Sequence, residues 1–176
     1  MIDSLKKKLK KIKVLALDVD GVLTNGKINV DERGKEIKVF DVHDGFGLAM
    51  IRRAGFKTAI ISARSAGAVT ARARDLKIDQ VFQGAYPKTA AFEQLLRVLK
   101  VSEDQVCFMG DDIPDLIIFR RVGVAVAVKN ANAEVKKHVD YVTKRNGGDG
   151  AVREIVELIL KTQNKWKELL KHYHKG

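Results

Sequence analysis

The chain has 176 residues, 45% apolar and 31% charged, with a net charge of +11 and a single cysteine, Cys107. This length and composition fit one globular domain with its own core. They exclude an intrachain disulfide and any membrane span of ~20 apolar residues.

The single thiol fits a reducing, cytoplasmic setting, and Cys107 in Val106-Cys107-Phe108-Met109 reads as a buried strand residue. The apolar stretch behind the first lysines is cut by Asp18 and Asp20, so it does not read as a signal peptide. The charge is concentrated at the ends. Residues 1–13 carry six lysines against Asp3, residues 161–176 carry five against Glu168, and the rest of the chain is only +2. No aromatic residue interleaves the lysines of residues 1–13. The basic ends therefore read as solvated faces, and neither nucleic acid nor membrane is expected as a partner.

Leu5, Leu9 and Ile12 at helical spacing predict a short basic helix over residues 4–12, within an N-terminal segment 1–12. Lys13–Leu17 reads as a strand. Gly26–Val30 and Lys35–Val39, joined by Asp31-Glu32-Arg33-Gly34, read as a β-hairpin. Asp44 is a candidate cap for a helix stopped by Gly55. Strands are expected at Thr58–Ile61, Gln80–Phe82, Gln105–Met109, Val124–Val128 and Tyr141–Thr143. Helices are expected at Ala66–Leu76, Lys88–Leu99, Pro114–Arg121 and Ala133–His138, with a long one, open to a break, over Ala151–Leu170 within the C-terminal helix and basic tail of residues 151–176. The apolar face of this last helix would pack on the chain's own core or on another subunit. The alternation predicts an α/β domain spanning residues 1–176, with a doubly wound, mostly parallel, Rossmann-like sheet. Ligands of such sheets bind at the carboxyl ends of the strands.

Those strand ends carry the chemistry. Leu15-Ala16-Leu17 runs into Asp18-Val19-Asp20-Gly21, where two like charges have no place in a core. The next strand ends at Ser62, followed by Arg64. Lys88 opens a helix, and a later strand ends in Gly110-Asp111-Asp112 with Asp115 three residues on. A phosphate dianion approaches such carboxylates only when cations neutralise both. Asp18, Asp111 and the Asp20 carbonyl suit Mg²⁺, which takes hard oxygen ligands. Lys88 supplies a fixed charge, and Ser62 can bond phosphoryl oxygens. Asp18 can then attack phosphorus, and Asp20 can serve as acid and then base.

At Asp18-Val19-Asp20-Gly21-Val22-Leu23-Thr24, Ile60-Ile61-Ser62-Ala63-Arg64, Lys88 and Gly110-Asp111-Asp112-Ile113-Pro114-Asp115 the chain resembles the haloacid dehalogenase superfamily of phosphohydrolases. The resemblance implies Asp18 as nucleophile, Asp20 as acid/base, and Mg²⁺ on Asp18, Asp20 and Asp111, supported by Asp112 and Asp115. Only 37 residues separate Asp20 from Thr58 and 25 separate Ser62 from Lys88, which leaves no room for a cap domain. Together with Asp41-Val42-His43-Asp44-Gly45-Phe46-Gly47 and Gly147-Gly148-Asp149-Gly150-Ala151-Val152-Arg153-Glu154, this resembles the capless 3-deoxy-D-manno-octulosonate (KDO) 8-phosphate phosphatases.

That resemblance implies a homotetramer whose subunits help close each other's sites, in lipopolysaccharide precursor synthesis. It also implies substrate contacts from Asp20, Asp41, Val42, His43, Asp44, Gly45, Arg64, Arg72 and Lys88. The chain departs from the family pattern at Ala63, His43 and Ala49, where glycine, arginine and arginine are usual. Alternatives are a phosphatase of another phosphosugar acid, such as a sialic-acid-type 9-phosphate, and a non-catalytic assembly domain of the same fold. A phospho-acceptor signalling domain would need a lone aspartate on the middle strand, where Ser62 stands.

Overall fold

Continuous apolar runs form the centre of the sheet, because a parallel sheet covered on both faces leaves no side for polar residues. In the computed structural model, which describes residues 3–174, these runs are β1 (Val14–Leu17), β4 (Lys57–Ile61), β6 (Val106–Gly110) and β7 (Val124–Ala127). Every residue of β1, β6 and β7 is buried. The edges are β5 (Gln80–Phe82) and β8 (Tyr141–Val142), and the order is β5-β4-β1-β6-β7-β8, all parallel. The chain leaves β1 outward to β4 and β5, then returns to β6 on the other side of β1. The topological switch therefore lies between the tips of β1 and β6, where ligands of such sheets bind.

One face is covered by α1 (Asp3–Leu9), α2 (Val42–Arg53) and α6 (Ala151–Thr162), the other by α4 (Thr89–Leu99) and α5 (Leu116–Phe119). Helix α3 (Gly67–Asp75) follows β4. The sheet is doubly wound as expected, and no separate cap interrupts it. The hairpin is reduced to β2 (Asn29–Val30) and β3 (Glu36–Ile37), an antiparallel pair outside the main sheet.

Several expectations change in detail. The N-terminal helix stops at Leu9, yet Leu5, Leu9 and Ile12 are all buried, so its stripe faces the core. Asp41, not Asp44, caps α2: its Oδ1 accepts from Asp44 N at 2.9 Å. The Pro114 segment is a 3₁₀ turn, Ile113–Asp115, followed by one short turn of α5. The C-terminal helix breaks after Thr162, with Asn164 left-handed at φ 60°, and resumes as α7 (Trp166–His174). Val152, Ile155, Val156, Ile159, Leu160 and Leu169 are buried in the chain's own core. Burial pushes the Cys107 thiol up, so it is an inert core residue. Residues 1–2 and 175–176 of the expected single domain lie outside the described residues.

Candidate active site

The turn after β1 is held by one carbonyl and one hydroxyl. Val19 O accepts from the N–H groups of Val22, Leu23 and Thr24, and from Thr24 Oγ1. Thr24 Oγ1 in turn accepts from Gly21 N and Gly26 N. Gly21 has φ +81°, and a Cβ there would lie 2.0 Å from Asp111 Oδ2. The glycine is therefore required by the approach of the Asp111 carboxylate as well as by the left-handed backbone.

Asp18 leaves β1 with its N–H donated to Met109 O of β6, which fixes it beside the tip that carries Asp111. Lys88, whose side chain is 1% exposed, spans two acids: its Nζ lies 2.7 Å from Asp18 Oδ2 and 2.6 Å from Asp115 Oδ1. Burial alone would lower the Lys88 pKa, but Asp18 and Asp115 hold it above its ordinary value, so it stays charged. Asp115 is fully engaged, since its Oδ2 accepts from Asp111 N (2.9 Å) and Asp112 N (3.3 Å). Gly110 leaves room for it, because a Cβ there would meet Asp115 Oδ2 at 2.3 Å. Asp112 completes a reciprocal cap over the 3₁₀ turn and is exposed.

Oxygens of Asp18, Asp111 and Asp115 lie within 4.8 Å of one another. Burial raises Asp111 to about 7, with Asp18, Asp115 and Asp112 adding to the rise and Lys88 opposing it. Burial likewise raises Asp18 to about 6 against the pull of Lys88. The cavity at these tips is about 250 Å³, and five carboxylates line it against only two cations, Arg64 and Lys88. Carboxylates crowded beyond what their lysine can neutralise fit a hard divalent cation on Asp18 and Asp111. Asp115, saturated by Lys88 and two amides, fits a supporting role. Ser62, buried at the tip of β4, lines the same cavity with Asp20.

The hairpin supplies two residues that were not among the expected site residues. Lys38, its side chain 4% exposed, donates to Asp20 Oδ1 at 2.5 Å and to Glu36 Oε1 at 2.8 Å. Burial acts to lower Lys38, but these hydrogen bonds hold its pKa above the ordinary value. Arg64 sits 3.6 Å from Asp20 Oδ2 and 3.2 Å from Glu36 Oε2. The signal was present in Glu36-Ile37-Lys38-Val39: alternation puts both charges on one face.

The expected substrate loop divides. Val42 and His43 are exposed, and Asp41 and His43 line a different cavity of about 630 Å³ with Lys144, Arg145 and Arg153. Asp44 and Gly45 are buried and lie outside the strand-tip cavity, as does the half-buried Arg72. Asp44 Oδ1 accepts from Arg153 N (2.8 Å) and its Oδ2 from Gly150 N (3.3 Å), so it caps α6. A Cβ at Gly45 would lie 2.3 Å from Arg72 Nη2, and Arg72 packs there under Phe40 and pairs with Asp75. Within the subunit these three residues join α2 to α3 and α6 and do not line the strand-tip cavity. The glycines of the Gly147-Gly148 turn have a steric reason too. A Cβ on Gly147 would lie 1.6 Å from Gly21 O, and one on Gly148 would lie 2.5 Å from Asn25 N. This turn therefore packs directly on the loop that carries Asp20 and Gly21.

The family described as haloacid dehalogenase-like hydrolase matches residues 78–155. The chain is 40% identical over 161 residues to 3-deoxy-D-manno-octulosonate 8-phosphate phosphatase KdsC of Escherichia coli K12, covering 92% of this chain and 86% of the relative. Among solved structures it is similar to a probable YrbI family phosphatase from Pseudomonas syringae (TM-score 0.96, 42% identity, 99% of each chain). It is also similar to 3-deoxy-D-manno-octulosonate 8-phosphate phosphatase from Moraxella catarrhalis, solved with magnesium, phosphate and KDO (TM-score 0.95, 38% identity, 98% of this chain and 99% of that one). With the strand-tip carboxylates arranged around Lys88, these likenesses show that the chain belongs to the 3-deoxy-D-manno-octulosonate 8-phosphate phosphatase family of haloacid dehalogenase-like hydrolases.

Proposed function

We propose that the chain is a Mg²⁺-dependent phosphomonoesterase that hydrolyses KDO 8-phosphate to KDO and inorganic phosphate, in lipopolysaccharide precursor synthesis. The observation that carries this reading is one cavity in which Asp18, Asp20, Ser62, Lys88 and Asp111 converge, in a chain 40% identical to enzymes of that name over most of its length. Mg²⁺ would be held by the Asp18 and Asp111 carboxylates and the Asp20 carbonyl, and would neutralise negative charge on the phosphoryl group.

The chain's own residues divide the remaining work. Lys88 fixes the Asp18 carboxylate and keeps a positive charge beside it. Ser62 and the Asp20 amide hold phosphoryl oxygens. An Asp18 oxygen attacks phosphorus while the bond from phosphorus to the sugar oxygen breaks, and its electron pair leaves with that oxygen. Asp20 delivers the proton that makes it an alcohol. Asp20 then takes a proton from water as the water attacks the aspartyl-phosphate, releasing phosphate and restoring the Asp18 carboxylate. Arg64 is well placed to meet the sugar acid. Half-buried Asp41 and exposed Val42 and His43, at the start of α2, would meet substrate in a neighbouring subunit.

Two observations support a homotetramer with shared sites. The cavity is small and open, and Ile28, Val30, Ile37 and Val39 expose an apolar face around the hairpin. A cytoplasmic location is consistent with the lone, buried thiol. No helix among the described residues is long and apolar enough to cross a membrane.

Phosphate release should be measured across a panel of phosphosugars, with Mg²⁺ and with chelator. KDO 8-phosphate should give the highest kcat/KM, and chelator should abolish turnover. A higher kcat/KM on a nine-carbon acid phosphate would overturn the substrate. Undiminished turnover in chelator would overturn the metal.

A further inference from the structure

The edge of the sheet opposite the acidic site carries a second, chemically inverse cavity of about 640 Å³. It lies at the amino ends of β1, β4 and β6, beside Lys13, Lys57 and Gln105, roughly 13 Å along a four-residue strand from the catalytic tips. Six lysines line it: Lys10, Lys11, Lys13, Lys57, Lys100 and Lys165. Asp104 is its only carboxylate.

These lysines complement helix C-termini, but only in part. Helices α1, α2, α4 and α6 end at this edge, each presenting about half a negative charge. Asp104 pairs with Lys11 at 3.3 Å and Asp79 with Lys57 at 2.8 Å. Together these offset about four of the six ammonium charges, which leaves about two unbalanced. Three lysines, Lys10, Lys13 and Lys100, make no ion pair or side-chain hydrogen bond among the described residues, whereas Lys165 is committed to the Ala54 carbonyl at 2.9 Å. Lys100 is also left-handed (φ 53°), at a helix-end position that favours glycine or asparagine.

We propose that this cavity binds a condensed phosphate, either free or carried by a nucleotide. A single orthophosphate can satisfy one or two of these three ammoniums, two from the segment after α1 and one from the end of α4, whereas a short phosphate chain can reach all of them. The volume is that of a small-molecule site. Long nucleic acid fits less well, because the only aromatic lining residue, Phe56, is buried and lies 4.7 Å beneath the Lys165 ammonium, leaving no face for a base.

The test is calorimetric titration of the full chain in chelator at low salt, where the metal-free acidic cavity repels anions and does not compete. Inorganic tripolyphosphate should bind at one site per chain, at least about tenfold tighter than orthophosphate. The exposed-lysine double variant Lys13→Ala/Lys100→Ala should bind it about tenfold more weakly, with an unchanged thermal midpoint and unchanged phosphate release by the Mg²⁺-loaded enzyme. A nucleoside triphosphate that binds tighter than tripolyphosphate would assign the nucleotide-borne form, and one no tighter would assign the free chain. Absent or non-saturable binding, equal binding by the double variant, or tighter binding of a single-stranded oligonucleotide would each overturn the proposal. Phosphate release enters only as a control, so failure here leaves the phosphatase reading standing, and failure of that reading leaves this site testable.

Discussion

Asp44 holds a carboxylate where water is nearly excluded, and burial raises it from 3.8 to about 6 despite amide donors from Arg153 and Gly150. Because the folded-state value is the higher one, folding takes up a proton between about pH 4 and 6, and the stabilisation present at low pH is lost as pH rises through about 6. The displacement corresponds to about 3 kcal/mol. Urea unfolding of metal-free wild type should therefore lose stability between about pH 4 and 7, and Asp44→Asn should remove about 2–3 kcal/mol of that loss. Parallel wild-type and variant curves would contradict this account. Residue roles at this scale were legible only where identity and position coincide. Asp18, Lys88 and Asp111 announce their positions by ending apolar runs or opening a helix. Asp44 carries the same side chain, but its burial depends on the Gly150–Arg153 backbone more than a hundred residues away, which no local pattern encodes.

At the scale of elements, the parallel strands were readable because each is a short apolar run bounded by charge. The hairpin was readable as a hairpin, but not as part of the site. Its Lys38 crosses to Asp20 through a tertiary contact that spacing alone does not specify. The C-terminal helix was harder still: its apolar face continues to Leu170, and only the left-handed Asn164 marks the break. The Lys38 contact has a kinetic consequence. Removing its ammonium leaves the Asp20 carboxylate with Arg64 alone at 3.6 Å and frees it to turn from the leaving group. In Lys38→Met, kcat should fall by about tenfold while the fold, read by circular dichroism, persists. An unchanged kcat would argue against Lys38 as the group that orients Asp20.

For the whole molecule, the doubly wound topology sends β1 and β6 to the switch point and so brings Asp18 to Asp111. The chain leaves that cavity open and clusters exposed Ile28, Val30, Ile37 and Val39 on one projecting hairpin. If subunits meet there, Ile28→Glu/Val39→Glu should dissociate the assembly in sedimentation while the fold, read by circular dichroism, persists. KM should rise more than kcat falls, because the cavity loses its neighbour rather than its nucleophile. An unchanged sedimentation coefficient would place the interface elsewhere. The central claim is that Asp18 carries the phosphoryl group. Acid quench of a single turnover, followed by peptide mass analysis, tests it most directly. A phosphoryl group should appear on the peptide containing Asp18 and be absent in Asp18→Asn, which should also lose turnover. Turnover by Asp18→Asn within about tenfold of wild type, a rate that leaves the barrier nearly intact, would contradict the account.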